Sequence, residues 1–152
     1  MSAQETITKD GVRTTRNGSM CAYLRRAITL SVRFATKDTI VQTLEGPVSC
    51  VEGDAIVTGI RGENWPIQRP RFLATYQPAT ADMSMGSDGL YQRISFSVQA
   101  RQLEKDESLP LGGGRGTLAG SRGDWLVQDA EGDCWIVANG IFQETYEPHK
   151  NN

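Results

Sequence analysis

The chain has 152 residues, of which 38% are hydrophobic and 22% are charged, and its formal net charge at pH 7 is −2. This composition predicts a soluble globular protein with one well-packed domain or two small ones. The weak negative charge excludes long-range attraction to nucleic acid or to an anionic membrane. No apolar run approaches the roughly 18–20 residues that span a bilayer.

Residues 1–20 are polar and contain the pairs Asp10-Gly11 and Asn17-Gly18. They predict a flexible lead-in, because they offer too little apolar area to offset the entropy of ordering. Residues 1–10 also lack the apolar core of a signal peptide. A basic stretch overlaps this segment and is interpreted as a solvated face, with a phosphate-binding patch as the alternative; its residues are Arg13, Arg16, Arg25, Arg26, Arg33 and Lys37.

Residues 27–34 alternate between apolar and polar side chains, which predicts a half-buried strand. Residues 93–100 show the same alternation 66 positions later, with Ser-Val at the same place. We interpret these segments as equivalent strands. Because the later motifs recur at a spacing of 70, about four extra residues are expected in the second copy, near Leu111-Gly112-Gly113-Gly114-Arg115-Gly116.

The second half of each copy repeats without a gap. Residues 53–78 align with residues 123–148, and nine of the 26 positions are identical. Such a duplication determines the architecture. It predicts β repeats at residues 21–78 and 91–148, a linker at 79–90 rich in turn-forming residues, and a tail at 149–152.

Short β-rich runs and glycine turns follow one another within each copy. Glycine at 62 and 132 predicts tight hairpin turns, and residues 69–73 and 139–143 have room for one helical or 3₁₀ turn. The fold class is therefore mainly β. A copy of this size has a marginal core alone, so we expect two SH3-like or small-barrel units packed with pseudo-two-fold symmetry.

Aromatic residues recur at matching positions of the two copies. They predict the core or the interface between copies, because aromatic side chains have the largest apolar area. The alternative is a surface on which a planar ligand stacks. The residues are Trp65, Trp135, Phe72, Phe142, Tyr76 and Tyr146.

Acidic residues also recur, as Asp54 with Glu63 and as Asp124 with Asp133. A carboxylate pair performs acid–base chemistry when its two environments separate the pKa values. The alternative is structural. Aspartate after glycine in a turn commonly accepts hydrogen bonds from neighbouring backbone amides, and an acid beside a hairpin glycine is simply solvated.

Other catalytic and metal-binding sets are incomplete. The single histidine, His149, lies in the tail and provides neither a zinc site nor a catalytic triad, so we expect no metal and no cofactor. The glycine-rich segment before Arg115 lacks the ending of a P-loop, although Arg115 is a candidate for contact with an anionic ligand. Cys21, Cys50 and Cys134 form neither a disulfide set nor a metal-ligand spacing, which predicts a reducing, cytoplasmic setting.

The ordered motifs resemble the PGDYG family of small bacterial proteins. The resemblance rests on Leu44-Glu45-Gly46-Pro47-Val48, Gly53-Asp54-Ala55-Ile56-Val57, Gly62-Glu63 with Trp65-Pro66-Ile67, and the closing Phe, Thr, Tyr and Pro of both copies. The naming motif falls on Glu131-Gly132-Asp133-Cys134-Trp135, where Gly-Asp is kept. Similar single-copy modules occur in phage and prophage proteins. The resemblance implies a fold and a cytoplasmic setting, and no activity.

The sequence thus favours a non-catalytic binding module of unknown small-molecule or protein ligand, with its site at a cleft between the repeats. A homodimer is possible, and membrane or nucleic-acid partners are not expected. The candidate ligand-binding residues are Trp65, Trp135, Tyr76, Tyr146, Asp54, Asp124, Glu63, Asp133 and Arg115. One alternative is a carboxylate-based enzyme acting on a nucleotide-like or sugar-like substrate. The other is a phage-derived assembly protein.

Overall fold

The computed structural model describes residues 20–149, and the chain in this range is mainly antiparallel β, as the sequence predicts. The lead-in up to residue 19 and the last three residues of the predicted tail lie outside the described residues. Arg13 and Arg16 of the basic stretch lie there too. No helix in the described range is long and apolar enough to cross a membrane.

The first half of the chain contains seven strands and one short helix. In order they are β1 (Cys21–Arg25), β2 (Ile28–Phe34), β3 (Thr39–Thr43), β4 (Gly46–Cys50), β5 (Ala55–Thr58), β6 (Asn64–Ile67), α1 (Arg69–Thr75) and β7 (Tyr76–Pro78). Helix α1 begins beside Pro70, whose fixed φ suits the first turn of a helix, and it occupies the place predicted for a helical turn.

The second half runs through the same order of elements. They are β8 (Gly89–Arg93), β9 (Phe96–Gln102), β10 (Glu107–Leu111), a 3₁₀ turn (Gly112–Gly114), β11 (Gly116–Gly120), β12 (Trp125–Gln128), β13 (Cys134–Val137), α2 (Asn139–Thr145) and β14 (Tyr146–Pro148). The predicted linker 79–90 therefore overlaps the start of β8, which the sequence patterns did not indicate as a strand, and β1 was missed in the same way.

The predicted equivalence of residues 27–34 and 93–100 is wrong by two positions. Strand β2 corresponds to β9, which begins 68 positions later, and the connection from β10 to β11 has two extra residues rather than four. The insertion lies where it was expected. A shift of two residues keeps every side chain on its own face of a strand, so alternation alone cannot detect it.

The chain forms two compact units. The first, called the β2 unit, comprises residues 26–96 and 108–119; the second, called the β9 unit, comprises the described residues 20–25, 97–107 and 120–149. Neither unit coincides with one repeat, because each includes elements from both.

The β2 unit is centred on an antiparallel sheet in the order β6-β5-β2-β8-β7. Alternate residues of β2, such as Leu30 and Val32, face a core with Val57, Tyr91 and Phe72, the last from α1. On the other face, the β3–β4 hairpin packs Val41 and Cys50 against Ile56. The short helix is thus anchored by one fully buried aromatic ring.

The β9 unit has a sheet in the equivalent order, β13-β12-β9-β1-β14. Its core contains a stack in which the rings of Trp125 and Phe142 lie 3.9 Å apart and those of Phe142 and Tyr146 lie 4.6 Å apart. Tyr23 meets the edges of this stack from β1. Neither five-stranded sheet closes into a barrel within the described residues, so of the two predicted kinds of unit, SH3-like or small barrel, the small barrel is not observed.

The two repeats exchange strands. Strand β1 belongs to the first half of the chain, yet it pairs with β14, with Arg25 opposite Tyr146. Strand β8 belongs to the second half, yet it lies between β2 and β7, with Arg93 opposite Tyr76. Each five-stranded sheet is therefore completed by a strand from the other repeat.

The basic stretch is not one solvated face. Arg25 is only 6% exposed in β1, whereas Arg26, Arg33 and Lys37 are exposed in the β2 unit. Arg93, which occupies the position equivalent to Arg25, is 5% exposed and donates a hydrogen bond from Nη2 to the carbonyl oxygen of Arg26. The interpretation as a solvated face is therefore corrected at Arg25.

Candidate functional site

The Gly-Asp turns use their aspartates to hold backbone amides. Asp54 is 6% exposed, and its carboxylate accepts hydrogen bonds from the amides of Val51, at 3.0 Å, and Arg69, at 3.1 Å. The second of these amides is the first of helix α1, which has no partner within the helix. Asp54 therefore ties the turn before β5 to the start of α1.

The equivalent turn of the β9 unit is built in the same way. The carboxylate of Asp124, which is half-buried, accepts a hydrogen bond of 2.9 Å from the amide of Ser121. Gly53 and Gly123 adopt φ values of 93° and 97°, a backbone conformation that favours glycine. The recurrence of Gly-Asp is thus accounted for by the geometry of a turn.

The carbonyl group of each turn glycine is satisfied differently in the two units. Arg69 donates from Nη1 to the Gly53 oxygen at 3.1 Å and lies over the ring of Phe34. In the β9 unit, Gln102 donates from Nε2 to the Gly123 oxygen at 3.0 Å. Gln102 occupies the position equivalent to Phe34, so the bond comes from a different element.

A large and a small side chain have changed places across one pair of strands. In the β2 unit Phe34 lies opposite Ala55, and in the β9 unit Gln102 lies opposite Trp125. Phe34 meets the ring of Phe72 edge-on, whereas Trp125 stacks on Phe142 and donates from Nε1 to Asn139 at 2.9 Å. Each unit thus has one aromatic ring from this strand pair against its helix.

The hairpin acids do not form catalytic pairs with the turn aspartates through any contact described. Glu63 accepts a hydrogen bond from the amide of Arg61 at 2.9 Å, within its own hairpin. In the second hairpin Asp129 accepts from the amides of Glu131 and Asp133, at 3.0 and 2.9 Å. The carboxylates of Asp129, Glu131 and Asp133 lie within 4.8 Å of one another. Glu63 and Asp129 therefore stabilise the turns of their own hairpins.

The aromatic candidates divide into two groups. Tyr76 is 1% and Tyr146 is 5% exposed, so both rings belong to the cores. Trp65 and Trp135 are half-buried on the edge strands β6 and β13, and Trp135 donates from Nε1 to the Tyr146 hydroxyl at 3.2 Å. Of these four residues, the two tryptophans keep a ring partly accessible to a ligand.

Arg115 does not face a phosphate cradle. Its Nε donates to the carbonyl oxygen of Gly112 at 3.2 Å, within the connection between two antiparallel strands. A phosphate loop instead joins a strand to a helix whose amides point at the anion. The three glycines are explained by a tight turn in which Gly113 and Gly114 both have φ near 70°.

The surface formed by the two β hairpins was not predicted from the sequence. The amide of Ser49 donates to the Arg115 oxygen, and the amide of Ala119 donates to the Glu45 oxygen, both at 2.8 Å. These bonds place β4 antiparallel to β11, with Pro47 opposite Thr117. Within the β2 unit the hairpins β3–β4 and β10–β11 therefore form one layer.

Two equivalent glycines permit this close approach. A Cβ atom on Gly116 would lie 2.6 Å from the Pro47 oxygen, and one on Gly46 would lie 3.1 Å from the Thr117 oxygen. Both glycines have φ near 135°. The contacts are reciprocal, since each glycine faces the strand that contains the other.

The outer side of this layer is called the hairpin face. Its exposed residues in the four strands and at the first turn position after β3 are uncharged: Ile40, Gln42, Leu44, Pro47, Ser49, Ser108, Pro110, Thr117 and Ala119. Ile40 and Leu44 are 60% and 61% exposed, the highest values among the exposed large apolar residues of the described range. In the sequence this face is indicated by the outward residues at 40, 42 and 44, which alternate between apolar and uncharged polar side chains.

Titration behaviour agrees with these structural roles. Burial raises the pKa of the Cys50 thiol, with a smaller contribution from the charge of Asp54, so Cys50 is a poor nucleophile at neutral pH. The pKa of Glu107 is lowered, chiefly by the hydrogen bonds that Arg101 donates to its carboxylate at 2.9 Å. The lowered pKa of Glu107 reflects its ion pair with Arg101, and it does not make Glu107 an acid or base near neutral pH.

The fold and the repeated motifs define a mainly β protein whose two sequence repeats exchange strands. The model of the PGDYG protein family matches residues 46–147, and the chain belongs to that family, as the sequence motifs predict. None of the curated proteins and none of the solved structures matches the chain.

Proposed function

We propose that this protein is a non-catalytic interaction module that binds a protein partner through the hairpin face. The observation that carries the proposal is a broad neutral surface with exposed Ile40 and Leu44, in a chain of which 22% of all residues are charged. Exposed apolar residues grouped on a flat, uncharged surface are characteristic of protein-binding sites.

The positions of the acidic residues support a non-catalytic role over the enzymatic alternative. Asp54 and Asp124 hold backbone amides, and Glu63 holds its own hairpin. Acidic side chains that accept hydrogen bonds from neighbouring backbone amides stabilise turns, and this role accounts for their recurrence without catalysis. Trp65 and Trp135 remain secondary candidates for contact with a ligand.

Other parts of the proposal concern origin and setting. We propose that the repeats descend from one small β unit related to SH3-like modules, and that the protein acts in the bacterial cytoplasm. The shared order of elements supports the common origin. A phage-derived assembly protein is compatible with the same interaction surface, because assembly also requires exposed complementary faces.

Site-specific photo-crosslinking tests the proposed surface. Benzoylphenylalanine replaces Gln42, which lies on the hairpin face, or Gln92, an exposed glutamine on β8 that serves as the matched control. In extracts of the native host we expect discrete protein adducts from position 42 and few from position 92. Equal labelling from the two positions would contradict the proposal.

A further inference from the structure

The hairpin face carries opposite charges at its two ends. Glu45 precedes β4, and Arg115 precedes β11 at the equivalent place in the second hairpin. Because Glu45 lies opposite Ala119 and Arg115 lies opposite Ser49, the two charges lie at opposite ends of β4 and β11, the two central strands of the layer. Both residues are half-buried, and the exposed positions between them are neutral.

Such a pattern is complementary to itself. When one copy of the face is turned over onto another about a two-fold axis that exchanges these two ends, Glu45 of each copy approaches Arg115 of the other. The neutral centre meets a neutral centre, so no like charges are brought together. In an isologous contact each favourable pairing also occurs twice.

A second copy is also compatible with the layer in the alignment of strands. Packed β layers keep their strands nearly aligned when both have the same twist, and a second copy provides a layer of the same twist. A partner with a different arrangement of charges would place a like charge or an apolar group against Glu45 or Arg115.

We infer that the hairpin face binds a second copy of this chain and forms a two-fold symmetric homodimer. The inference rests on the proposed function and names its partner. The nine outward residues are fewer than the roughly 20–30 residues per side of a standard interface, so the dimer is weak and dissociates on dilution.

Sedimentation velocity over a concentration series measures this dimer directly. For the intact chain we expect a monomer–dimer equilibrium with a Kd on the order of 10 µM to 1 mM, as for other small interfaces. A chain that stays monomeric up to about 1 mM would overturn the inference.

Two leucines of similar exposure provide a matched pair of variants. Leu44 on the hairpin face is 61% exposed, and Leu90 on β8 is 54% exposed. We expect Leu44→Lys to raise the Kd of the dimer at least about tenfold, because the change places two charges in the interface, and Leu90→Lys to change it by less than about twofold. Gln42→Lys, paired with Gln92→Lys, gives the same comparison should Leu44→Lys disturb the fold. Equal effects within both pairs would overturn the inference.

A charge exchange tests the proposed orientation. Glu45→Arg and Arg115→Glu should each weaken the dimer about three- to tenfold, and the double variant should recover the affinity of the original chain to within about twofold, because complementarity is restored with the charges exchanged. A double variant as weak as the sum of the single changes would overturn the two-fold arrangement.

The crosslinking experiment separates this inference from the proposed function. Adducts at position 42 with twice the mass of the chain support the homodimer. Adducts with other proteins in the extract, together with no dimer adduct from the purified chain at about 1 mM, leave the interaction module in place and overturn the homodimer. Absence of position-specific adducts contradicts both.

Discussion

At the scale of single residues, the two units keep the same contact while providing it from different positions. The carbonyl of the turn glycine is bound by Arg69 in one unit and by Gln102 in the other. An aromatic ring reaches the helix from Phe34 in one unit and from Trp125 in the other. Such exchanges are expected where total side-chain volume, rather than one residue identity, fills a core.

This exchange predicts a compensated pair of substitutions. Trp125→Ala should lower the free energy of unfolding by about 3–5 kcal/mol, because it removes a buried ring from the stack with Phe142. Adding Gln102→Phe should recover at least about 1 kcal/mol, since it recreates the arrangement of Phe34 opposite Ala55. Urea denaturation of both single variants and the double variant measures the coupling. A double variant no more stable than Trp125→Ala would contradict this explanation.

The pair formed by Arg101 and Glu107 predicts a pH dependence of stability. Hydrogen bonding to Arg101 lowers the pKa of Glu107, and the two side chains are 17% and 28% exposed. A carboxyl group with a lowered pKa in the folded state stabilises the protein above its unfolded pKa of about 4.3, and this contribution is lost as pH falls through the folded pKa.

Glu107→Gln should therefore lower the free energy of unfolding by about 1 kcal/mol at pH 7, and the difference should vanish toward pH 3. Glu52→Gln is the control, because Glu52 is exposed. Thermal unfolding at a series of pH values makes the comparison. A deficit in Glu107→Gln that persists unchanged at pH 3 would show that the ion pair is not its cause.

At the scale of elements, the close approach of hairpins β3–β4 and β10–β11 depends on glycine, which has no side chain, at the contact between β4 and β11. The position that a Cβ atom of Gly116 would occupy is limited by the carbonyl oxygen of Pro47, and backbone cannot rotate away as a side chain does. We expect Gly116→Ala to lower the free energy of unfolding by about 2–4 kcal/mol through the combined steric and conformational cost.

Gly113→Ala is the matched control for this prediction. Gly113 also has a positive φ, of 70°, but no atom lies within 4 Å of the position that a Cβ would occupy there. It should cost about 1–2 kcal/mol, the conformational term alone. Equal destabilisation by the two substitutions, measured by chemical denaturation, would show that the hairpins do not approach as described.

The sequence predicted the elements of this fold better than their pairing. Glycine turns at 62 and 132 and the helical turns after them follow from local residue preferences, and the structure has elements there. Strand alternation placed β2 and β9 but missed their register by two positions. Strands β1 and β8 lack a strong alternating pattern, although Tyr and Arg recur in them as Tyr23 with Arg25 and as Tyr91 with Arg93.

The candidate site was predicted less well for a physical reason. Repetition marks any residue that a unit needs twice, and a turn aspartate such as Asp54 is needed as much as a ligand-binding residue. The hairpin face is composed of residues with no chemical signature, such as Ile40 and Leu44. Its recognition requires knowledge of which strands lie side by side, and that pairing is long-range.

At the scale of the whole molecule, strand exchange makes the two repeats mutually dependent. The β2 unit contains β8 and most of β10 and β11, which come from the second half of the chain, and the β9 unit contains β1, which comes from the first half. A repeat on its own would leave a five-stranded sheet incomplete and expose its apolar face. Folding of each unit therefore requires both halves.

Cleavage of the native chain between the repeats tests this claim most directly. A specific protease site inserted at Ala81, an exposed residue between β7 and β8, leaves every strand intact. After cleavage under native conditions we expect the two halves to elute together in size-exclusion chromatography and to separate only when the protein is unfolded in denaturant. Two halves that separate at once into independently folded modules would contradict the exchange of β1 and β8 between the repeats.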